Sequence, residues 1–255
     1  MNYYSWYPRR NLSSLDWKYA FVILNSGISN RERVVELWNH ACYRVLVDGA
    51  ANNWFYLSQN RSDIFLKATP SLVTGDFDSI CHEVKEYFEK KVPNCEVICT
   101  PDQELTDFTK SLREIADRIS KKERIEAVYA YTEYWGRLDQ IFGVFQTLFQ
   151  ACQIEGLPPV FLISSNSIDW LLTPGKHIID LTSEANSQLK ELEKCHCGII
   201  PLGEQCKNVI TSGLKWNLCK GQKLAFGTLI STGNKFSNEI VEIENESPLI
   251  WTMEI

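Results

Sequence analysis

From Tyr19 to about Ser164, short apolar runs alternate with stretches whose apolar residues recur at helical spacing. The runs at 20–24, 44–47, 72–73, 96–99, 127–131 and 160–163 have the length and β-branched content of strands. Between them, Leu105, Phe108, Leu112, Ile115, Ala116 and Ile119 mark one helix face, with Lys110, Arg113 and Glu114 directed away from it. Leu138, Ile141, Phe142, Phe145, Leu148 and Phe149 mark a second. This alternation predicts an α/β fold, a mostly parallel sheet with helices on both faces. After Trp170 the texture changes. Segments 176–180, 198–201, 208–211, 223–230 and 240–243 are short, β-branched and separated by Gly, Asn, Ser and Pro, which predicts an all-β sandwich. Residues 183–194 are polar and helix-capable. The expected boundary lies at 164–166, giving an α/β domain over 1–165 and a β-sandwich over 166–255.

Composition narrows the function classes. The 255 residues are 44% hydrophobic and 23% charged, ordinary for a globular chain, so disorder, collagen-like repeats and coiled coil are poor readings. Twenty-six basic against 32 acidic residues give a net charge of −6, which disfavours a nucleic-acid partner. No apolar run approaches the ~18 residues that span a bilayer, and residues 1–15 lack the apolar core of a signal peptide, so the expectation is a cytoplasmic protein without membrane attachment. Nine cysteines, an odd number, fit reduced thiols. Cys195-His196-Cys197 lacks the two-residue spacer of zinc knuckles and reads as thiols in a packed region. The four histidines, His40, His82, His177 and His196, are dispersed and form no nucleophilic triad.

In an open parallel sheet, ligands bind beyond the carboxyl ends of the strands. There the chain places Asp48-Gly49-Ala50-Ala51-Asn52, then Gly75-Asp76-Phe77-Asp78-Ser79, then Thr100-Pro101-Asp102-Gln103 leading to Asp107, and then Gly136-Arg137-Leu138-Asp139. Asp76 and Asp78, two residues apart, can leave the same side of the chain with Phe77 turned into the core. Such a pair suits Mg²⁺ held with phosphates, or else a turn capping the next helix. Gln103 and Asp107 are spaced i,i+4, so they would share a helix face, with Asp102 as N-cap. Arg137, where a helix starts, suits phosphate oxygens or an ion pair with Asp139. Neither a P-loop nor a dinucleotide fingerprint is present.

Together with Thr106-Asp107-Phe108-Thr109-Lys110, Gly213-Leu214-Lys215-Trp216-Asn217-Leu218 and Phe226-Gly227-Thr228-Leu229-Ile230-Ser231-Thr232, these motifs resemble eukaryotic thiamin pyrophosphokinases over nearly the whole chain. The resemblance implies an α/β domain followed by a β-sandwich, and a homodimer with active sites between subunits. It implies that ATP and thiamine give thiamine diphosphate and AMP with Mg²⁺. It assigns Asp76, Asp78 and Asp107 to metal and catalysis, with Arg137 adding charge neutralisation. Asp48, Asn52, Gln103 and Asp139 would line the nucleotide region, and Trp216, Ser231, Thr232 and Asn234 would meet thiamine. Asp107 and Asp78 both stand as the group that orients or accepts the hydroxyl proton.

The chain departs from the family in two places. Ala50 replaces the usual second Gly of Asp-Gly-Gly-Ala-Asn, and Thr132-Glu133-Tyr134-Trp135 stands where the family often has a Gly-rich stretch. Ser237-Asn238-Glu239 is a second match to the thiamine-side motif. A metal-dependent phosphohydrolase using Asp76 and Asp78, or a protein that binds thiamine or nucleotide without turnover, are the competing readings.

Overall fold

The computed structural model describes residues 2–13, 16–59, 68–122, 125–182 and 192–255. The helix-capable stretch lies outside the described residues over 183–191. The chain divides into two compact units, residues 18–165 and residues 1–17 together with 166–255. The N-terminal residues form β1 (Tyr3–Trp6) and the short helix α1 (Pro8–Ser13). They correct the expected domain limits: β1 pairs in parallel with a strand at 175–180, Tyr3 opposite Lys176 and Trp6 opposite Ile179. A four-residue segment rich in aromatic side chains carries no helical or sheet period that would assign it to either unit.

In residues 18–165 the order is β2 (Tyr19–Ile23), α2 (Arg31–His40), β3 (Tyr43–Val47), α3 (Ala50–Gln59), β4 (Leu72–Gly75), α4 (His82–Lys91), β5 (Glu96–Cys99), α5 (Asp107–Lys122), β6 (Ala127–Tyr131), α6 (Leu138–Ala151) and β7 (Val160–Ile163). All six strands are parallel, in the order β7-β6-β2-β3-β4-β5. Strands β2, β4, β6 and β7 are buried throughout, which is why they read as continuous apolar runs and not as alternations. The order reverses at β2: β3, β4 and β5 extend to one side, whereas β6 and β7 lie on the other. With right-handed crossovers, that reversal places α2, α3 and α4 on one face and α5 and α6 on the opposite face. Accordingly α3 packs on α4, and α5 on α6.

The other unit continues with β8 (Ser167–Leu172), β9 (Gly175–Asp180), β10 (His196–Ile200), β11 (Val209–Ser212), β12 (Ser231–Lys235), β13 (Ile240–Asn245) and β14 (Leu249–Glu254). One sheet runs β1-β9-β13-β11, and β12, β10, β14 and β8 are neighbours in a second. Burial alternates along β9, β11 and β13, so Ile179, Val209, Val241 and Ile243 face inward. An aromatic row joins the sheets: Trp6 meets Trp170 at 5.7 Å, and Trp170 meets Trp251 at 6.1 Å between ring centroids. The strand expected at 223–230 is absent. Backbone bonds from Gln222 N–H to Cys219 and from Thr228 N–H to Ala225 close turns there, only Leu224 pairs, with Cys206, and pairing resumes at Ser231.

Candidate active site

The reversal at β2 opens a cleft of about 770 Å³ at the carboxyl ends of the strands, lined by Asn25 after β2, Asp48 after β3, Asp78 after β4, Asp107 at the head of α5 and Trp135 after β6. Asp48 sits at φ 46°, a left-handed conformation that Asp tolerates better than most residues. Its N–H donates to the Thr74 carbonyl at 2.8 Å, tying the turn to β4. The turn closes against Gly75, where a Cβ would stand 2.7 Å from the Asp48 Cβ. Ala50 is fully buried at the start of α3, so its extra methyl is taken up in the core.

Three carboxylates converge here. Oxygens of Asp48, Asp76 and Asp107 all lie within 4.8 Å of one another. At that separation each pair repels by about 3.5 kcal/mol at an effective dielectric near 20. Burial raises the Asp48 pKa above the usual carboxylate value, with the Asp107 charge adding to the rise, while hydrogen bonds from Gly49 and Ser79 oppose it. Asp76 is shifted the other way: the hydrogen bond from Gln103 lowers its pKa and outweighs its burial. Gln103 Nε2 reaches Asp76 Oδ2 at 2.9 Å, and the Asp76 N–H donates to Asp107 Oδ1 at 3.1 Å.

Lys110, expected to be directed away from the apolar face of α5, has a side chain only 5% exposed. Its Nζ lies 2.7 Å from Asp107 Oδ1 and donates to the Thr100 and Asp102 carbonyls at 2.7 and 2.9 Å. Its place one turn beyond Asp107 was the available signal, because i,i+3 neighbours share a helix face. Three carboxylates beside one ammonium leave two negative charges uncancelled, and the donors are all hard oxygens.

Other expectations change in detail. Asp78 lines the cleft but stands outside the cluster; it is exposed, its N–H bonds Asp76 Oδ1 at 3.2 Å, and its Oδ1 accepts from Ser79 Oγ at 2.8 Å. Phe77, at φ 66°, is half-buried with Lys85 Nζ 5.2 Å from its ring centre and is not a core residue. Gln103 precedes α5 and is not on it. Thr106 Oγ1 accepts from Thr109 N–H at the helix start, in the role expected of Asp102. Asn52 holds the chain after β4, donating to the Ser79 carbonyl and accepting from Cys81 N–H. Arg137 and Asp139 are exposed on the cleft wall and paired with each other, Nε to Oδ1 at 3.1 Å.

The residues expected to meet thiamine lie in the other unit. Trp216 is 55% exposed, with Lys215 Nζ 4.7 Å from its ring centre. Buried Asn234 clamps its backbone: Oδ1 accepts from Trp216 N–H at 3.2 Å, and Nδ2 donates to the Trp216 carbonyl at 2.8 Å. On β12, Ser231 is half-buried and Thr232 exposed; Ser237 and Asn238 are exposed beyond it.

Residues 34–158 match the family model of the thiamin pyrophosphokinase catalytic domain, and residues 176–250 that of the thiamin pyrophosphokinase vitamin B1 binding domain. Thiamine pyrophosphokinase 1 of Oryza sativa subsp. japonica is 30% identical over 245 residues, covering 93% of this chain and 87% of its own. Thiamin pyrophosphokinase 1 of Caenorhabditis elegans is 28% identical over 231 residues, covering 90% and 85%. The structure of thiamin pyrophosphokinase from Candida albicans matches the fold with a TM-score of 0.79 at 23% identity, over 99% of this chain and 93% of that one. The chain belongs to the thiamin pyrophosphokinase family.

Proposed function

We propose that the cleft of residues 18–165 holds ATP and that the protein transfers its pyrophosphoryl group to the hydroxyl of thiamine, giving thiamine diphosphate and AMP. The observation that carries this reading is the convergence of Asp48, Asp76 and Asp107 beside Lys110 at the point where the strand order reverses. The uncancelled double charge and the all-oxygen donor set fit Mg²⁺, held by these three residues. Bound there, Mg²⁺ supplies neutralisation of phosphate charge.

The chain's own groups do the rest. Arg137 sits at the head of α6, where its guanidinium and the open backbone N–H groups receive phosphate oxygens once Asp139 releases it. The Asp107 carboxylate is engaged by Lys110 and the Asp76 N–H, which leaves Asp78, exposed in the cleft, as the group that orients and deprotonates the thiamine hydroxyl. Trp216 offers an exposed aromatic face to the cationic thiazolium, and Ser231 and Thr232 offer hydroxyls beside it.

The protein acts as a homodimer with active sites between subunits; exposed Leu138 and Phe142 on α6 favour such a partner. None of the nine cysteines forms a disulfide, in accord with the reducing cytoplasm. Among the described residues no helix is long and apolar enough to cross a membrane.

The test is purified protein with Mg²⁺, ATP and thiamine, following AMP and thiamine diphosphate. AMP that forms only with thiamine supports the assignment. Phosphate release regardless of thiamine would indicate a hydrolase, and binding without product would indicate a carrier.

A further inference from the structure

We propose that the indole of Trp135 is the platform on which the purine base of the nucleotide stacks. The inference rests on the reading of the cleft as the nucleotide site. Trp135 is 55% exposed on the cleft wall, so its indole offers a broad aromatic surface to an occupant of the cleft. The ring lies over Gly27, where a Cβ would stand 2.8 Å from its Cζ2, so a side chain at 27 would displace it.

The backbone beneath the ring is held from both preceding residues. The buried Glu133 carboxylate accepts from Ser29 Oγ, from Tyr131 OH and, at 3.1 Å, from Ser165 Oγ, while the Glu133 N–H donates to Ser26 Oγ at 3.1 Å. Tyr134 stacks on Phe145 with centroids 5.6 Å apart and planes 11° from parallel. Residues 133 and 134 are therefore fixed while 135 presents an open face, a surface ordered before the ligand arrives.

Its neighbours in the cleft are of a different character. Asp48, Asp107 and Arg137 suit a metal-bound polyphosphate, which leaves the base as the flat, weakly polar part of a nucleotide that needs an aromatic wall. Thiamine has a separate candidate, because Trp216, equally exposed, lies within the vitamin B1 binding match at 176–250 and Trp135 lies within the catalytic match at 34–158. Each flat substrate ring thus has one exposed indole. Stacking reads no hydrogen-bond pattern, so the platform accepts adenine and other purines alike.

Equilibrium binding of ATP, AMP, inorganic tripolyphosphate and thiamine, each with Mg²⁺, to wild type, Trp135→Ala and Trp135→Phe tests this. Trp135→Ala is expected to weaken ATP and AMP roughly tenfold, to leave tripolyphosphate and thiamine within about twofold, and to be largely rescued by Trp135→Phe. Undiminished ATP binding would overturn the assignment, as would an equal loss for tripolyphosphate or a loss confined to thiamine. A wild-type protein that binds thiamine but no ATP would overturn the nucleotide reading of the cleft, and this inference with it.

Discussion

The Lys110 ammonium lies 2.7 Å from the Asp107 carboxylate, and the same nitrogen holds the carbonyls of Thr100 and Asp102. One buried cation therefore offsets charge in the carboxylate cluster and fixes the loop that delivers Gln103 to Asp76. Lys110→Met should cost about 3 kcal/mol in urea unfolding, because it leaves carbonyls and a carboxylate without their partner. In combination with Asp107→Asn the losses should be less than additive, with a coupling of about 1–3 kcal/mol. Additive losses would mean that the pair is incidental.

The geometry separates Asp76 and Asp78, which adjacency in the chain had grouped. Asp48→Asn and Asp76→Asn should each weaken Mg²⁺-dependent ATP binding, measured calorimetrically. Asp78→Asn should bind Mg²⁺ and ATP nearly as wild type but turn over at least about 100-fold more slowly. Removing metal with EDTA should stop wild-type turnover, and added Mg²⁺ should restore it. If Asp78→Asn were the variant that lost metal, the roles drawn from the cluster would be wrong.

Trp216 depends on Asn234, which bonds both its N–H and its carbonyl. Trp216→Ala should raise the KM for thiamine roughly tenfold with the KM for ATP unchanged, as expected for loss of an aromatic face toward a cation. Asn234→Ala keeps the indole but frees its loop, and should reproduce most of that rise. A thiamine KM unaffected in both variants would remove Trp216 from the site.

His177 provides a pH test away from the cleft. It is buried, stacked on Tyr4 at 4.8 Å; its Nδ1 accepts from Trp6 Nε1 at 3.1 Å and its Nε2 faces the Thr173 carbonyl at 2.7 Å. Burial lowers its pKa below 6.5, with the hydrogen bond to the Thr173 carbonyl opposing the shift. The unfolded chain takes up this proton at higher pH than the folded one. The His177 contribution is therefore fully present above the unfolded value and is lost as pH falls toward the folded one. Urea midpoints should drop from about pH 7.5 to about pH 5, and His177→Gln should flatten part of that slope. An identical slope in the variant would exclude His177 as its source.

Local pattern determined much of this protein. The apolar runs of β6 and β7 coincide with strands, because a strand buried in a parallel sheet must be apolar on both faces. The acids at the strand ends were legible for a related reason: turns at the carboxyl edge are where polar side chains can gather without entering the core. Tertiary structure decided what chain adjacency cannot express. Asp48, Asp76 and Asp107 meet because β3, β4 and β5 are neighbours in the sheet, whereas Asp78, two residues from Asp76, is carried out of the cluster by the left-handed Phe77. Lys110 reads as a solvent-facing position on an amphipathic helix until the 100–103 loop folds over it. β1 joins the second unit through pairing with residues some 170 positions away. Hydrophobic period records which face of an element is buried, but the groups that meet across elements are set by strand order and loop path, which no local spacing encodes.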